Sequence, residues 1–219
     1  MPRSKFDREL KKISRDLGAM SKLVQGNLDD SMKALINRDI ELASKVKELD
    51  KEKIDLIFRD VEERCIQCIA LHQPVAGDLR FISTAMSVGA NLERIGDYAK
   101  DVAMIVPFIL KDPRLDEEEK MLEKMCENTK IMTKEAVSSF INKNKNKVNK
   151  VNKYEEEVDE IYGSIFPKFK ERVAISCGNA PLVLNLLLVA RYLERAADHA
   201  MNISQRTIYV INGAWKDME

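Results

Sequence analysis

The chain has 219 residues, 45% of them apolar and 33% charged, with only 8 Gly and 6 Pro. Lys plus Arg and Asp plus Glu both number 36, so the formal net charge is zero, which argues against broad non-specific binding to nucleic acid. Scarce turn residues leave little chemistry for an all-β fold, and 4 cysteines in a chain this long do not read as a disulfide framework.

Six helical segments can be drawn in order. The first runs from about Ser4 to Asn37, with Leu10, Ile13, Leu17, Met20 and Val24 recurring at three- and four-residue steps. Asp39 is placed to cap the second, which reaches about Leu71 and is stopped by Gln73-Pro74. The third extends from Pro74 to about Pro107. Pro113 and Asp116 announce the fourth, whose acidic first turn suits the helix dipole and whose end lies in the Lys/Asn-rich stretch 142–146. The fifth spans roughly Lys147 to Cys177, with a kink expected at Pro167. Gly178 is expected to stop it, Asn179 to cap the sixth helix and Pro181 to open it; that helix runs to about Ile211. Segments of about 30 residues are about 45 Å long, and short connections favour antiparallel neighbours. The expected fold is all-α: two tandem, pseudo-symmetric three-helix bundles, one unit over 1–110 and the other over 111–219.

The halves carry the same signal. NLERIGDYAKD (91–101) and YLERAADHAMN (192–202) align without a gap at an offset of 101 positions. Val88, Leu92, Glu93, Arg94, Asp97 and Ala99 meet Val189, Leu193, Glu194, Arg195, Asp198 and Ala200, as two copies of one structural unit should. Each copy places Glu and Asp four apart, one turn of helix, so that both carboxylates share a face. Glu93, Asp97 and Asp101 follow one another at four-residue steps, as do Glu194, Asp198 and Asn202. Like charges so placed repel, and a bound cation is one way to offset that. Carboxylates are hard oxygen ligands for Mg, Ca, Mn or ferric iron.

Hairpin counting brings the preceding helix into register. Asp97 comes level with Asp50, and Glu93 with Ile54 beside Asp55; Asp198 comes level with Asp159, with Glu155, Glu156 and Glu160 within a turn. Small residues beside the pairs (Gly96, Ala99, Ala196, Ala197, Ala200) allow close helix approach. The candidate metal ligands are therefore Glu93, Asp97, Asp101, Glu194, Asp198, Asn202, Asp50, Asp55 and Asp159.

Competing chemistry is thinner. Cys65, Cys68 and His72 stand at helical spacing in an apolar-rich helix and read as buried thiols rather than a zinc site. His199 reads as a satisfied surface or interface histidine. Neither histidine has Glu three residues before it, which disfavours ferritin-like di-iron chemistry, and no nucleophile arrangement emerges; no catalytic residue is assigned. The Lys/Asn run 143–153 reads as a solvated connection. No apolar run reaches the roughly 20 residues needed to span a bilayer.

At these residues the chain resembles the PhoU family of phosphate-uptake regulators. QPVAGDLRFISTAMSVGANLERIGD (73–97) is similar to the family's first-repeat motif, and VARYLERAADHAMNI (189–203) to its second. The resemblance extends over nearly the whole chain. It implies tandem three-helix bundles with an E/DxxxD motif in each half that holds metal clusters: Glu93, Asp97 and Asp101 in the first, Glu194 and Asp198 in the second. Asn202 departs, offering a neutral oxygen where an aspartate would add charge. Iron is the first expectation, with Mn, Mg and Zn as alternatives. The resemblance further implies a cytoplasmic negative regulator that couples a phosphate ABC transporter ATPase to a sensor histidine kinase, working as a homodimer and peripheral to the membrane through its partners. It has no direct contact with nucleic acid and no catalytic activity. Regulation of another phosphate transporter and a carboxylate-bridged metalloenzyme are the alternative readings. Asp78 and Arg80 have no counterpart in the second half and read as partner contacts or as a helix-end salt bridge.

Overall fold

The apolar stripe of the first segment closes onto a core. In the computed structural model, which describes residues 3–213, α1 spans Arg3–Asn37 and Ile13, Leu17, Met20 and Val24 are fully buried. The outermost residues of the two expected units, 1–2 and 214–219, lie outside that range. Arg38 turns the chain in a left-handed conformation (φ 55°). Asp39 then caps the second segment, its side chain accepting a hydrogen bond from the Leu42 N–H at 2.9 Å.

The second segment is one continuous rod with an irregular middle. This rod, α2, consists of Ile40–Leu49, a π-helical turn Asp50–Ile54 and Asp55–His72, with right-handed helical backbone at both joins. A π turn inserts one extra residue and so rotates the next stretch of helix about its axis. Gln73 ends the rod in the left-handed region (φ 48°). Next come α3 (Ala76–Ile105), α4 (Asp116–Asn142), α5 (Asn146–Ile175) and α6 (Ala180–Asn212). Among the described residues there are six long helices and no strand.

Two local expectations need correction. Gly178 does not stop α5. Ser176 does, in an extended conformation, and Cys177–Asn179 form a 3-10 turn. Asn179 does not cap α6 through its side chain either; its amide donates backwards to the Arg172 carbonyl at 3.2 Å, which also accepts from the Ser176 N–H at 3.2 Å. The helix continues through Pro167, and Pro181 sits in the first turn of α6 as expected. The Lys/Asn run is helical from Asn146 onward, where Lys147 and Lys150 grip Glu135 at 3.0 and 2.9 Å.

One apolar cluster runs through both halves. The most extensive helix pairing joins α3 to α6, the two helices that carry the repeated motif, and α1 packs on both α3 and α4. Tyr98 and Tyr192 face each other across the α3–α6 seam with ring centroids 6.1 Å apart. The acidic start of α4 is not solvated as a dipole argument alone would have it. Glu118 and Glu119 are buried, held by Arg172 at 2.6 Å and by Arg38 and Arg114 at 2.7 Å each. Those pairs tie the α1–α2 corner and α5 to the start of the second half.

Candidate functional site

The expected carboxylates lie near one another in two groups, and the groups differ. In the first, Gly96 lets α2 press against α3: a Cβ added there would lie 2.7 Å from Asp50 Oδ1 and 3.2 Å from Ile54 Cδ1. Asp50, at the head of the π turn, is thereby buried to 1% exposure. Its Oδ2 accepts a 2.8 Å hydrogen bond from Lys100 Nζ, which also pairs with Asp97. Asp50 Oδ1 is buried and has no hydrogen-bond partner. Arg94 flanks the group from outside, 3.2 Å from Asp97 and 3.5 Å from Glu93.

Electrostatics arise from this packing. Burial pushes the Asp50 carboxyl above its ordinary range, and the Lys100 hydrogen bond only partly offsets that. Glu93 is raised by burial, then by the charges of Asp97, Asp55 and Asp50. Asp101 is raised by burial despite Lys100 nearby, and it in turn acts with burial to raise Tyr192 of α6. Burial pulls Lys100 down, but its hydrogen bonds to Asp50 and Asp97 prevail and its pKa rises. Lys100 thus stays charged as an internal counter-ion.

The second cluster has no such cation. Glu194 is held by Arg191, one turn earlier, at 2.7 Å. Asp159 is raised by burial and then by the charge of Asp198; Glu155 is raised by burial, then by Asp159 and Asp198. Among the described residues, Glu155, Asp159 and Asp198 make no ion pair; Asp159 and Asp198 are exposed, so solvent screens part of their repulsion. At the repeat offset, Met201 occupies the place of Lys100, Ala197 that of Gly96 and Asn202 that of Asp101. Asn202 is exposed, on a different face from the buried Met201 beside it.

The structure therefore brings together Asp50, Glu93, Asp97 and Asp101, with Asp55 one turn along α2, and separately Glu155, Asp159, Glu194 and Asp198. Sequence reasoning missed Lys100, although a lysine three residues after Asp97 in one copy and a methionine in the other was a visible signal. Among the described residues, no three His, Cys, Asp or Glu side chains are gathered tightly enough to ligate one ion by themselves. The donor chemistry still fits a hard cation: an orphaned buried carboxylate oxygen in one cluster and unneutralised carboxylates in the other.

Cysteines and a histidine that the sequence singled out lie apart from the carboxylates. Cys65 and Cys68 are buried thiols, the former pushed up to about 12 by burial. His199 is at the α3–α6 interface, its Nδ1 2.8 Å from Asn91 Oδ1. Arg80 packs against Gly213 at the end of α6. No described helix is long and apolar enough to cross a membrane.

Comparison with known proteins matches this architecture. A family model described as the PhoU domain matches twice, over residues 17–106 and 122–207. The phosphate-specific transport system accessory protein PhoU homolog of Rhizobium meliloti is 33% identical over 211 residues, covering 96% of this chain and 89% of the relative. Its counterpart from Aquifex aeolicus is 35% identical over 209 residues, 95% of this chain and 94% of the relative. Among solved structures, PhoU from Pseudomonas aeruginosa superposes with a TM-score of 0.89 at 30% identity, covering 95% of this chain and all of that one. The phosphate transport system regulatory protein PhoU from Streptococcus pneumoniae gives 0.86 at 26% identity, covering 97% and 100%.

Proposed function

The chain belongs to the PhoU family, and from that premise we propose that it is an accessory regulator of phosphate transport. The family's members are named as accessory proteins of a transport system, not as enzymes. In this reading the protein is cytoplasmic and acts as a negative regulator. It bridges a phosphate ABC transporter ATPase and a sensor histidine kinase, works as a homodimer and holds metal ions in its two repeats, 1–110 and 111–219.

The observation that carries the metal part is the duplicated set of carboxylates, three of which in the second half make no ion pair among the described residues. Glu155, Asp159 and Asp198 repel one another, and each carries acceptor oxygens that a hard cation prefers. The residues that would hold the ion are Asp50, Asp55, Glu93, Asp97 and Asp101 in the first half, and Asp159, Glu194 and Asp198 in the second, with Glu155 added and Asn202 as a neutral oxygen. Cations of the Mg type keep several waters and use only one or two carboxylates, so a complete protein cage is not required. Iron and Mn take the same hard oxygen donors. A bound ion would supply charge neutralisation, drawing α5 towards α6 and setting the outer faces that partners read.

Pull-down of the purified chain with the cognate transporter ATPase and kinase tests the adaptor role. Capture of both supports it, and capture of neither, with unchanged phosphate-starvation signalling in a deletion strain, eliminates it. Elemental analysis of the purified protein tests the metal role separately.

A further inference from the structure

Far from either carboxylate cluster, the N-terminal part of α1 and the C-terminal part of α2 enclose a trough of about 560 Å³. Its walls are two helix faces. Lys5, Arg8, Glu9 and Lys12 occupy successive positions of one face of α1, and Arg64, Gln67, Cys68, Leu71 and His72 one face of α2. Arg64, the lining residue of α2 nearest to Asp50, is 14 residues from it, about 21 Å at helical rise, so the trough is separate from the carboxylate cluster.

The lining is strongly cationic in a chain of zero net charge. Four Lys and Arg side chains and one carboxylate, Glu9, line the trough, and Asp16 borders it 3.7 Å from Arg64. Glu9 organises two of them. Its Oε1 accepts from Lys12 Nζ at 2.8 Å and its Oε2 from Arg64 Nη1 at 3.1 Å, so two cations from different helices are held side by side. The Lys12 hydrogen bond keeps the Glu9 carboxyl below its ordinary range. Arg64 Nε is buried without a hydrogen bond and lies 3.7 Å from the Asp16 carboxylate, its second ion-pair partner. A guanidinium fork beside ammonium groups is the donor set that phosphoryl oxygens take.

The far end of the trough is different in kind. Leu71 is 64% exposed there, Cys68 forms part of the floor and His72 packs on Phe6 with ring centroids 5.1 Å apart. An apolar and aromatic shelf beside a cationic wall, in a concavity within the range of small-molecule sites, suits a ligand with an anionic head and a planar body. Inorganic phosphate would leave the shelf unused.

We propose that this α1–α2 trough binds a small phosphorylated organic anion of nucleotide size, its phosphoryl groups on Lys5, Arg8, Lys12 and Arg64 and its ring system against Leu71 and His72. Binding there would link the end of the first half to the level of a phosphorylated metabolite, without involving the metal clusters.

Calorimetric titration of the purified full chain tests this, with ADP, pyrophosphate, inorganic phosphate and adenosine as probes. The titrations are run in EDTA, so that nucleotide-borne metal cannot engage the carboxylates. The expected result is saturable ADP binding that weakens with added salt, pyrophosphate weaker by about tenfold or more, and inorganic phosphate and adenosine weaker still. Lys12→Gln should weaken ADP by about tenfold; Lys12 is a surface residue whose loss leaves the helix intact. Arg64→Gln should do the same, with its circular dichroism spectrum checked against the parent. Leu71→Ser should weaken ADP and leave pyrophosphate unaffected. Lys150→Gln on α5 should change nothing. Absence of ADP binding at millimolar concentration, or ADP binding indifferent to both Lys12→Gln and Arg64→Gln, overturns the site. Equal affinity for ADP and pyrophosphate overturns the organic part of the ligand.

Discussion

The two carboxylate clusters occupy equivalent positions of a repeated unit, yet they solve their repulsion in different ways. The first contains its own cation: Lys100 is wedged between Asp50 and Asp97 beneath a helix contact that Gly96 makes possible. The second has Met201 and Ala197 at those places, and Glu155, Asp159 and Asp198 make no ion pair among the described residues. A carboxylate motif copied within a chain therefore does not copy its charge balance. A site with a built-in ammonium must displace or accommodate it before a metal ion enters, whereas the second cluster gains from a cation at once. On the proposed metal reading, the second half binds an added divalent ion more readily, even though Asn202 removes one acid from it.

The sharpest way to break this contrast is to remove the internal cation. Lys100→Met copies the second half into the first and strands Asp50. Losing one partner of a buried pair costs 3–5 kcal/mol; Lys100 is 29% exposed, so about 2–3 kcal/mol is expected here. That is a fall in Tm of roughly 4–12 °C for a chain of this size. Adding Asp50→Asn to Lys100→Met should recover part of the loss, and a double-mutant cycle reads the coupling directly. If Lys100→Met melts with the parent, Lys100 is not the counter-ion.

Next comes the helix contact. Gly96→Ala forces a methyl group against Asp50 and Ile54 and should cost about 1–3 kcal/mol, as overpacking does. Ala197→Gly in the second half removes a buried Cβ without relieving any clash and should cost about 1 kcal/mol through helix propensity. Denaturant midpoints of the two variants separate a contact that needs glycine from one that does not.

A divalent cation should act mainly on the second cluster. At ten times its Kd, Mn²⁺ should stabilise the protein by about 1.4 kcal/mol, read as a rise in Tm. Asp159→Asn with Asp198→Asn should abolish most of that rise, while Lys100→Met should add a second binding event. An undiminished Mn²⁺ response in the double variant would remove the second cluster from the metal reading.

The smallest effect is pH-dependent. Folded Glu155 and Asp159 have raised pKa values, burial first and neighbouring acids second. Such groups favour the folded state while protonated, so their stabilising contribution is complete below the ordinary carboxylate range and is lost as pH rises through the raised values. Glu155→Gln with Asp159→Asn should therefore gain a few tenths of a kcal/mol over the parent at pH 7. That gain should vanish near pH ~4, where the parent's own carboxyls carry protons. Melting curves across this range give the sign.

Much of this molecule could be read in advance because helices are local. Residues at three- and four-residue spacing declare a face, and Ile13, Leu17, Met20 and Val24 are buried as that spacing requires. Helix stops at Gln73 and the Asp39 cap depend on a few neighbouring backbone groups and were legible for the same reason. Hairpin counting placed Asp50 against Asp97 and Asp159 against Asp198, since equal rise along antiparallel helices fixes level to within a turn.

What remained for the tertiary structure to decide was contact between elements distant in the chain. The amino-acid sequence on its own determined the six helices, the duplicated motif and which acids stand level across each hairpin, all consequences of periodicity and rise. Only the packed chain decided that a π turn would bury Asp50, that Lys100 would reach it, that Glu118 and Glu119 would be enclosed by arginines, and that α1 and α2 would leave a cationic trough between them. Those outcomes depend on how closely helices approach and which charge fills the gap, and no spacing along one helix specifies either.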